Sequence, residues 1–199
     1  MLIIGLNGSP NKEGSTAFML GKALAAAAAE GARTELIHVV DALKGLASPF
    51  CSACSNPCEA TCISNTNMAI AYDQLRKADG LLIASPVYFG TVSGQLKAFW
   101  DKSRVLRKEQ ALLNVPGAAL TVGASRFGGQ ETTLRAIHDI MMVQGMMVLG
   151  DGHFEADAGH HGACAQRPAT DDDNGIKRAE ITGRRVAEVA RATGGLRRR

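Results

Sequence analysis

Four of the five cysteines fall within one short stretch, Cys51, Cys54, Cys58 and Cys62, separated by two, three and three residues. Four thiolates on a segment this compact can surround one small centre. That ligand set suits a [4Fe–4S] cluster and equally a tetrahedral zinc ion. Structural zinc sites tend to use two separated pairs, so a single run points to iron–sulfur first, with zinc or free redox-active thiols as alternatives. The fifth cysteine, Cys164, reads as a small buried or surface thiol. His153, His160 and His161 have no diagnostic metal spacing and read as loop histidines, and His38 and His138 as structural.

Three glycine-containing loops offer chemistry of another kind. The first, Gly5 to Thr16, follows the apolar run Leu2-Ile3-Ile4 and leads into an Ala-rich helical stretch. Backbone N–H groups, the helix dipole and the hydroxyls of Ser9, Ser15 and Thr16 would together hold an anion. A phosphate-bearing cofactor is one reading, and simple capping of the helix by Ser15 or Thr16 is the other. The loop lacks the Gly-Lys-Ser/Thr ending of a triphosphate site and the glycine pattern of a dinucleotide fold, which favours a monophosphate. The second loop, Pro86-Val87-Tyr88-Phe89-Gly90, could seat a flat heteroaromatic ring, or Tyr88 and Phe89 could be core residues. The third runs from Ser125 and Arg126 through Gly128, Gly129 and Gln130 to Glu131. Its two glycines let backbone approach a ligand closely. Glu131 also suits the first turn of a helix.

The elements needed to position these loops are legible as an alternation. Strands are expected at Leu2–Leu6, Arg33–Val40, Gly80–Ser85, Val115–Gly123 and Met146–Leu149. Helices are expected at Ser15–Glu30, Asn67–Lys77, Ser93–Leu106, Gln130–Gln144 and Asn174–Ala192. This βα alternation implies a doubly wound α/β domain over residues 1–199, a five-stranded parallel sheet in the order 2-1-3-4-5 with helices on both faces. Residues 41–66 form a cysteine-containing insertion after strand two, and residues 150–172 an irregular segment before the last helix. In this topology ligands bind at the carboxyl ends of strands one and three, which brings all three loops to one crevice.

The composition, 46% hydrophobic and 21% charged with a net charge of +3, is that of an ordinary globular chain and gives no argument for nucleic acid. Arg197-Arg198-Arg199 reads as a solvated tail. No apolar run is long enough for a membrane span and no basic leader precedes the first strand, so a cytoplasmic, reducing location is expected.

Gly8-Ser9-Pro10, Gly14-Ser15-Thr16, Ser85–Gly90 followed by Leu96-Lys97-Ala98-Phe99-Trp100-Asp101, and Gly128-Gly129-Gln130-Glu131 together resemble the NADPH-dependent FMN reductase family. The cysteine segment resembles that of its iron–sulfur flavoprotein branch, whose usual spacing is two, two and five. The resemblance implies a flavodoxin-like fold, FMN as cofactor and a homodimer or homotetramer. Ser9, Asn11, Ser15 and Thr16 would hold the FMN phosphate, and Pro86–Gly90 and Ser125–Glu131 would line the isoalloxazine. Asn11 and Gly14 stand where many members carry Arg and Ser. His161 would approach a flavin, across a subunit interface.

The expected function is that of an FMN-dependent oxidoreductase in which a cluster passes electrons to or from FMN, with a small-molecule or ferredoxin-type donor or acceptor. One alternative is an NAD(P)H-dependent FMN or quinone reductase with zinc or free thiols in the cysteine segment. Another is a non-catalytic electron-carrier or phosphate-binding module. No nucleophilic triad is present, and no catalytic side chain is assigned.

Overall fold

The computed structural model describes residues 1–197. Its strands are β1 (Leu2–Asn7), β2 (Arg33–His38), β3 (Gly80–Pro86), β4 (Pro116–Gly123), β5 (Met147–Leu149) and β6 (Ala163–Gln166). Its α-helices are α1 (Ser15–Ala29), α2 (Val39–Leu43), α3 (Asn67–Leu75), α4 (Gly94–Asp101), α5 (Arg104–Lys108), α6 (Gln130–Val143) and α7 (Asp173–Ala192). The strands run parallel in the order β2-β1-β3-β4-β5, as the alternation requires, and β6 adds to β4.

Period-two alternation splits the core across the sheet. Leu2, Ile4, Leu6, Leu81 and Ile83 face the layer of α2 to α6, while Ile3, Leu82, Ala84, Ala118 and Leu120 face α1 and α7. In the second layer α1 and α7 approach closely because both present small residues where they meet. A Cβ on Gly183 of α7 would fall inside contact distance of the Ala23 carbonyl of α1.

Four details depart from the sequence reading. The fifth strand is split: β5 pairs with Pro116–Ala118 at the start of β4, and β6 pairs with Leu120–Gly123 at its end. Residues 150–162 leave the sheet between them, so the segment read as irregular contributes a strand. Val39 and Val40, β-branched and read as strand, instead open α2, where Val39 packs into the core. The helix expected over Ser93–Leu106 is two helices, broken at Lys102-Ser103. Arg197 is not a solvated tail residue: its guanidinium donates to Asp79 Oδ1 (3.2 Å) and to the Ala190 carbonyl (2.8 Å). Arg198 and Arg199 lie outside the described residues. Among the described residues, no helix is long and apolar enough to cross a membrane.

Candidate functional site

The first loop is built from short-range side-chain turns. Ser9 N donates to Asn7 Oδ1 (3.0 Å), Asn11 N to Ser9 Oγ (3.1 Å) and Glu13 N to Asn11 Oδ1 (3.0 Å). Asn7 in turn donates from Nδ2 to His38 Nδ1 (3.0 Å), which fixes the His38 proton on Nε2. Burial and the Lys12 ammonium push the His38 pKa down, keeping the imidazole a neutral acceptor. Lys12 itself pairs with Asp41 at 2.7 Å on the surface and holds the Asp41 carboxyl below its usual value.

Helix α1 starts at an extended Gly14 and has no side-chain cap and no acidic residue in its first turn. Ser15 and Thr16 therefore do not serve as its cap. Its first amides have no acceptor from a capping side chain, which is the arrangement an anion completes. Ser9 and Thr16 are buried beside it. Ser15 Oγ accepts from Ala169 N at 3.2 Å, which leaves its hydroxyl hydrogen free to donate.

Buried serines tie this loop to the second. Ser93 Oγ donates to the Gly8 carbonyl (2.6 Å) and accepts from Leu96 N (3.1 Å), capping α4. Ser93 N donates to Ser85 Oγ (3.1 Å) at the end of β3. Gly8 lies so close to β3 and α4 that a Cβ would meet both the Ala84 carbonyl and Leu96 at 2.9 Å. The second loop is a tight hairpin: Tyr88 and Thr91 exchange both backbone bonds, with Phe89 (φ 49°) and Gly90 (φ 77°) between them. Tyr88 and Phe89 are exposed, so they are not core residues.

The third loop closes against the second. Val87 N donates to the Val122 carbonyl (2.9 Å), and Thr132 Oγ1 is within bonding distance of the Gly90 and Gly129 carbonyls (2.7 and 2.9 Å). Gly129 has φ 94°, and a Cβ there would sit 2.9 Å from Gly90 Cα. Gln130 is buried and turned inward, donating to the Ser125 carbonyl (2.6 Å) and accepting from Gly128 N (2.8 Å). These bonds hold the loop in shape, and Gln130 also lines the crevice on the β6 side. Ser125, Arg126 and Glu131 are exposed. A crevice of about 940 Å³ opens on the β6 side of this loop, lined by Arg126, Phe127, Glu131, Arg167 and Asp172 among others. Sequence reasoning did not single out Ser85, Ser93 and Thr132, which join the loops, or Asn7, which braces the first loop against His38, because each looks like an ordinary turn or capping residue. It also missed the contribution of the β6–α7 connection.

Residues 1–161 match the model of the NADPH-dependent FMN reductase family. The chain belongs to that family. It is thus a flavoprotein of the FMN reductase, flavodoxin-like type. It is 40% identical over 193 residues to an iron–sulfur flavoprotein of Methanocaldococcus jannaschii, covering 96% of this chain and 98% of the relative. It is 36% identical to an iron–sulfur flavoprotein of Methanosarcina thermophila, covering 95% of each. Among solved structures, a WrbA-like flavodoxin from Agrobacterium tumefaciens superimposes with a TM-score of 0.68 at 20% identity, covering 96% of this chain and 97% of that one.

The cysteine segment lies between α2 and α3, with Cys62 beside Lys102 at the α4–α5 break. All four thiols are free; Cys51 and Cys58 are half-buried, Cys54 and Cys62 exposed. The buried Tyr72 hydroxyl donates to the Phe99 carbonyl at 2.6 Å. Burial, then the nearby Cys62, Cys51 and Cys58, push its pKa well above the usual tyrosine value. Lys102 Nζ donates to Cys62 Sγ at 3.7 Å. The donor chemistry therefore fits a thiolate-held centre. The four sulfurs stand apart, since among the described residues no group of three or more His, Cys, Asp or Glu side chains is placed to hold a metal ion. The histidines do not form one either. His153 is buried against Glu188 (3.1 Å), while His160 and His161 border a small cavity with Asp151, Asp157 and Arg178. Cys164 is half-buried and accepts from Thr121 Oγ1 at 3.6 Å, and burial pushes its thiol pKa up.

Proposed function

We propose that this protein is an FMN-dependent oxidoreductase whose cysteine segment carries a second redox centre. The observation that carries the reading is the joining of three loops, by Ser93 and Thr132, around an α1 N-terminus that has no side-chain cap. The FMN phosphate would take the open amides of α1, with donors from Ser9, Asn11, Gly14, Ser15 and Thr16. The ring would rest against Pro86, Val87, Tyr88, Phe89 and Gly90 on one side. Ser125, Arg126, Gly128, Gly129 and Glu131 would border the other, with Gln130 holding that loop in shape. FMN, when bound, supplies a carrier able to exchange one or two electrons. The chain's own part is to bind it, orient it and limit solvent access.

Cys51, Cys54, Cys58 and Cys62 would supply four thiolates to a [4Fe–4S] cluster, a reading supported by the names of the full-length relatives and by the donor set. Zinc would use the same four. NAD(P)H, suggested by the family's name, or a small-molecule or ferredoxin-type carrier would exchange electrons with the flavin. Exposed Phe89 and Phe127 at the rim support a homodimer or homotetramer in which a second copy covers the ring.

Anaerobic purification, an absorption spectrum, and flavin and iron analysis test this reading. The expected result is flavin absorbance with a broad brownish shoulder that bleaches on reduction. Cys54→Ser should lose the iron and keep FMN. A colourless chain that cannot be loaded with FMN overturns the reading; flavin with zinc in place of iron replaces the cluster and leaves the flavin assignment standing.

A further inference from the structure

The break between α4 and α5 carries a buried lysine. Lys102 follows the last turn of α4 and is only 5% exposed. Among the described residues, it makes no ion pair with a carboxylate; neighbouring Asp101 is taken by Lys97 at 2.6 Å. The side-chain partner of its ammonium is Cys62 Sγ, at 3.7 Å. A buried ammonium facing a neutral thiol is poorly compensated, because it has given up water for a weak acceptor. Facing a centre held by four thiolates, which is a net anion with both zinc and an iron–sulfur cluster, it is compensated.

We propose that Lys102 is the counter-cation of the cysteine-held centre, positioned by the α4–α5 break to donate to the Cys62 sulfur and to favour the more negatively charged state of whatever those cysteines hold. The inference rests on the cysteine reading given above. It makes Lys102 a positioning residue: it reaches a ligand sulfur and acts through it. Hydrogen bonds and charge near ligand sulfurs are among the means by which proteins set cluster potentials. Reduction adds an electron, so a fixed cation stabilises the reduced state more than the oxidised one.

The test compares the anaerobically reconstituted, FMN-loaded wild type with K102M, K102Q and K102R. Methionine keeps an apolar stem, glutamine keeps an N–H donor without charge, and arginine keeps the charge. Circular dichroism and FMN stoichiometry report folding independently of the centre. The readouts are iron and sulfide per chain, the rate of metal loss to a chelator, and a redox titration followed by electron paramagnetic resonance. K102M and K102Q are expected to lose metal at least tenfold faster. Their reduction is expected to become at least tenfold less favourable, about 59 mV more negative for a one-electron centre. K102R should stay near wild type. If zinc is what the cysteines hold, the chelator rate alone carries the comparison. A loaded wild type with unchanged K102M and K102Q overturns this inference and leaves the cysteine reading intact. A wild type that takes up neither iron–sulfur nor zinc overturns both. If K102M does not fold, K102Q decides.

Discussion

Ser93→Ala is the most informative single change for the flavin site. The Ser93 side chain is fully buried and has two partners, donating to the Gly8 carbonyl at 2.6 Å and accepting from Leu96 N at 3.1 Å. Losing the helix cap costs about 1 kcal/mol. Leaving the buried Gly8 carbonyl without its hydroxyl adds roughly 1–3 kcal/mol. The variant is therefore expected to be about 2–4 kcal/mol less stable, and for a chain of this size each kcal/mol lowers the melting temperature by about 2–4 °C. Gly8 lies in the loop proposed to hold the phosphate and Ser93 follows the loop proposed to seat the ring, so the loss falls between the two halves of the proposed site. FMN affinity should fall together with stability. The assay is urea unfolding of the flavin-free chain alongside FMN titration by flavin fluorescence. Ser85→Ala completes a double-mutant cycle, and because Ser93 N donates to Ser85 Oγ at 3.1 Å the two changes should not add. An unchanged denaturation midpoint, or a destabilised variant with wild-type FMN affinity and an additive cycle, would refute the view that these serines join the loops.

Three further outcomes are expected. Thr16→Val should weaken FMN binding by about 1–2 kcal/mol, the scale of a hydrogen bond to a charged group, with little change in fold as read by circular dichroism; undiminished affinity would place the phosphate elsewhere. Phe89→Asn relieves a bulky residue held at φ 49° and should stabilise the flavin-free chain by up to about 1 kcal/mol while weakening flavin binding, measured by the same two titrations. His138 is buried, and burial followed by the nearby His161 lowers its pKa from 6.5. Its contribution to stability is therefore complete above that value and is lost as pH falls through the lower folded-state pKa. Denaturation midpoints of wild type should decline over that range more steeply than those of His138→Gln, and parallel profiles would remove His138 from the account.

Most of the layered architecture was legible because its strands are continuous apolar runs, such as Leu81-Leu82-Ile83-Ala84, that only a sheet covered on both faces can use. The convergence of the three loops followed from the order of those strands. Parts hidden from the sequence are those decided by tertiary partners. Ala163–Gln166 contains no β-branched residue, and its pairing is set by the open edge of β4 beyond Ala118. The stripe of Leu96, Phe99, Trp100, Ser103 and Leu106 runs across the break at Lys102-Ser103, so the pattern conceals it. Gln130 sits beside two glycines and reads as a ligand contact; the fold adds that its amide also bonds to Gly128 N and the Ser125 carbonyl of its own loop. The exposure of Phe89 and the absence of a side-chain cap on α1 set aside the core and capping readings, and both emerge only once the chain is folded.

The split fifth strand also bears on how the sheet behaves toward other chains. An uninterrupted edge strand offers unpaired backbone groups to any passing β-segment. Here one margin is divided into pieces of three and four residues, and residues 150–162 bulge outward between them. The bulge is pinned rather than loose: Arg178 of α7 forks to Asp151 (2.5 Å) and Asp157 (2.9 Å), and Arg185 holds the Gly152 carbonyl (2.6 Å). The opposite margin, β2, carries the charged pair Arg33–Glu35 at 2.9 Å. Both flanks are thus poor templates for runaway strand addition, and the exposed tip around Phe154 is where this scaffold would accept extra sequence with little disturbance to the sheet.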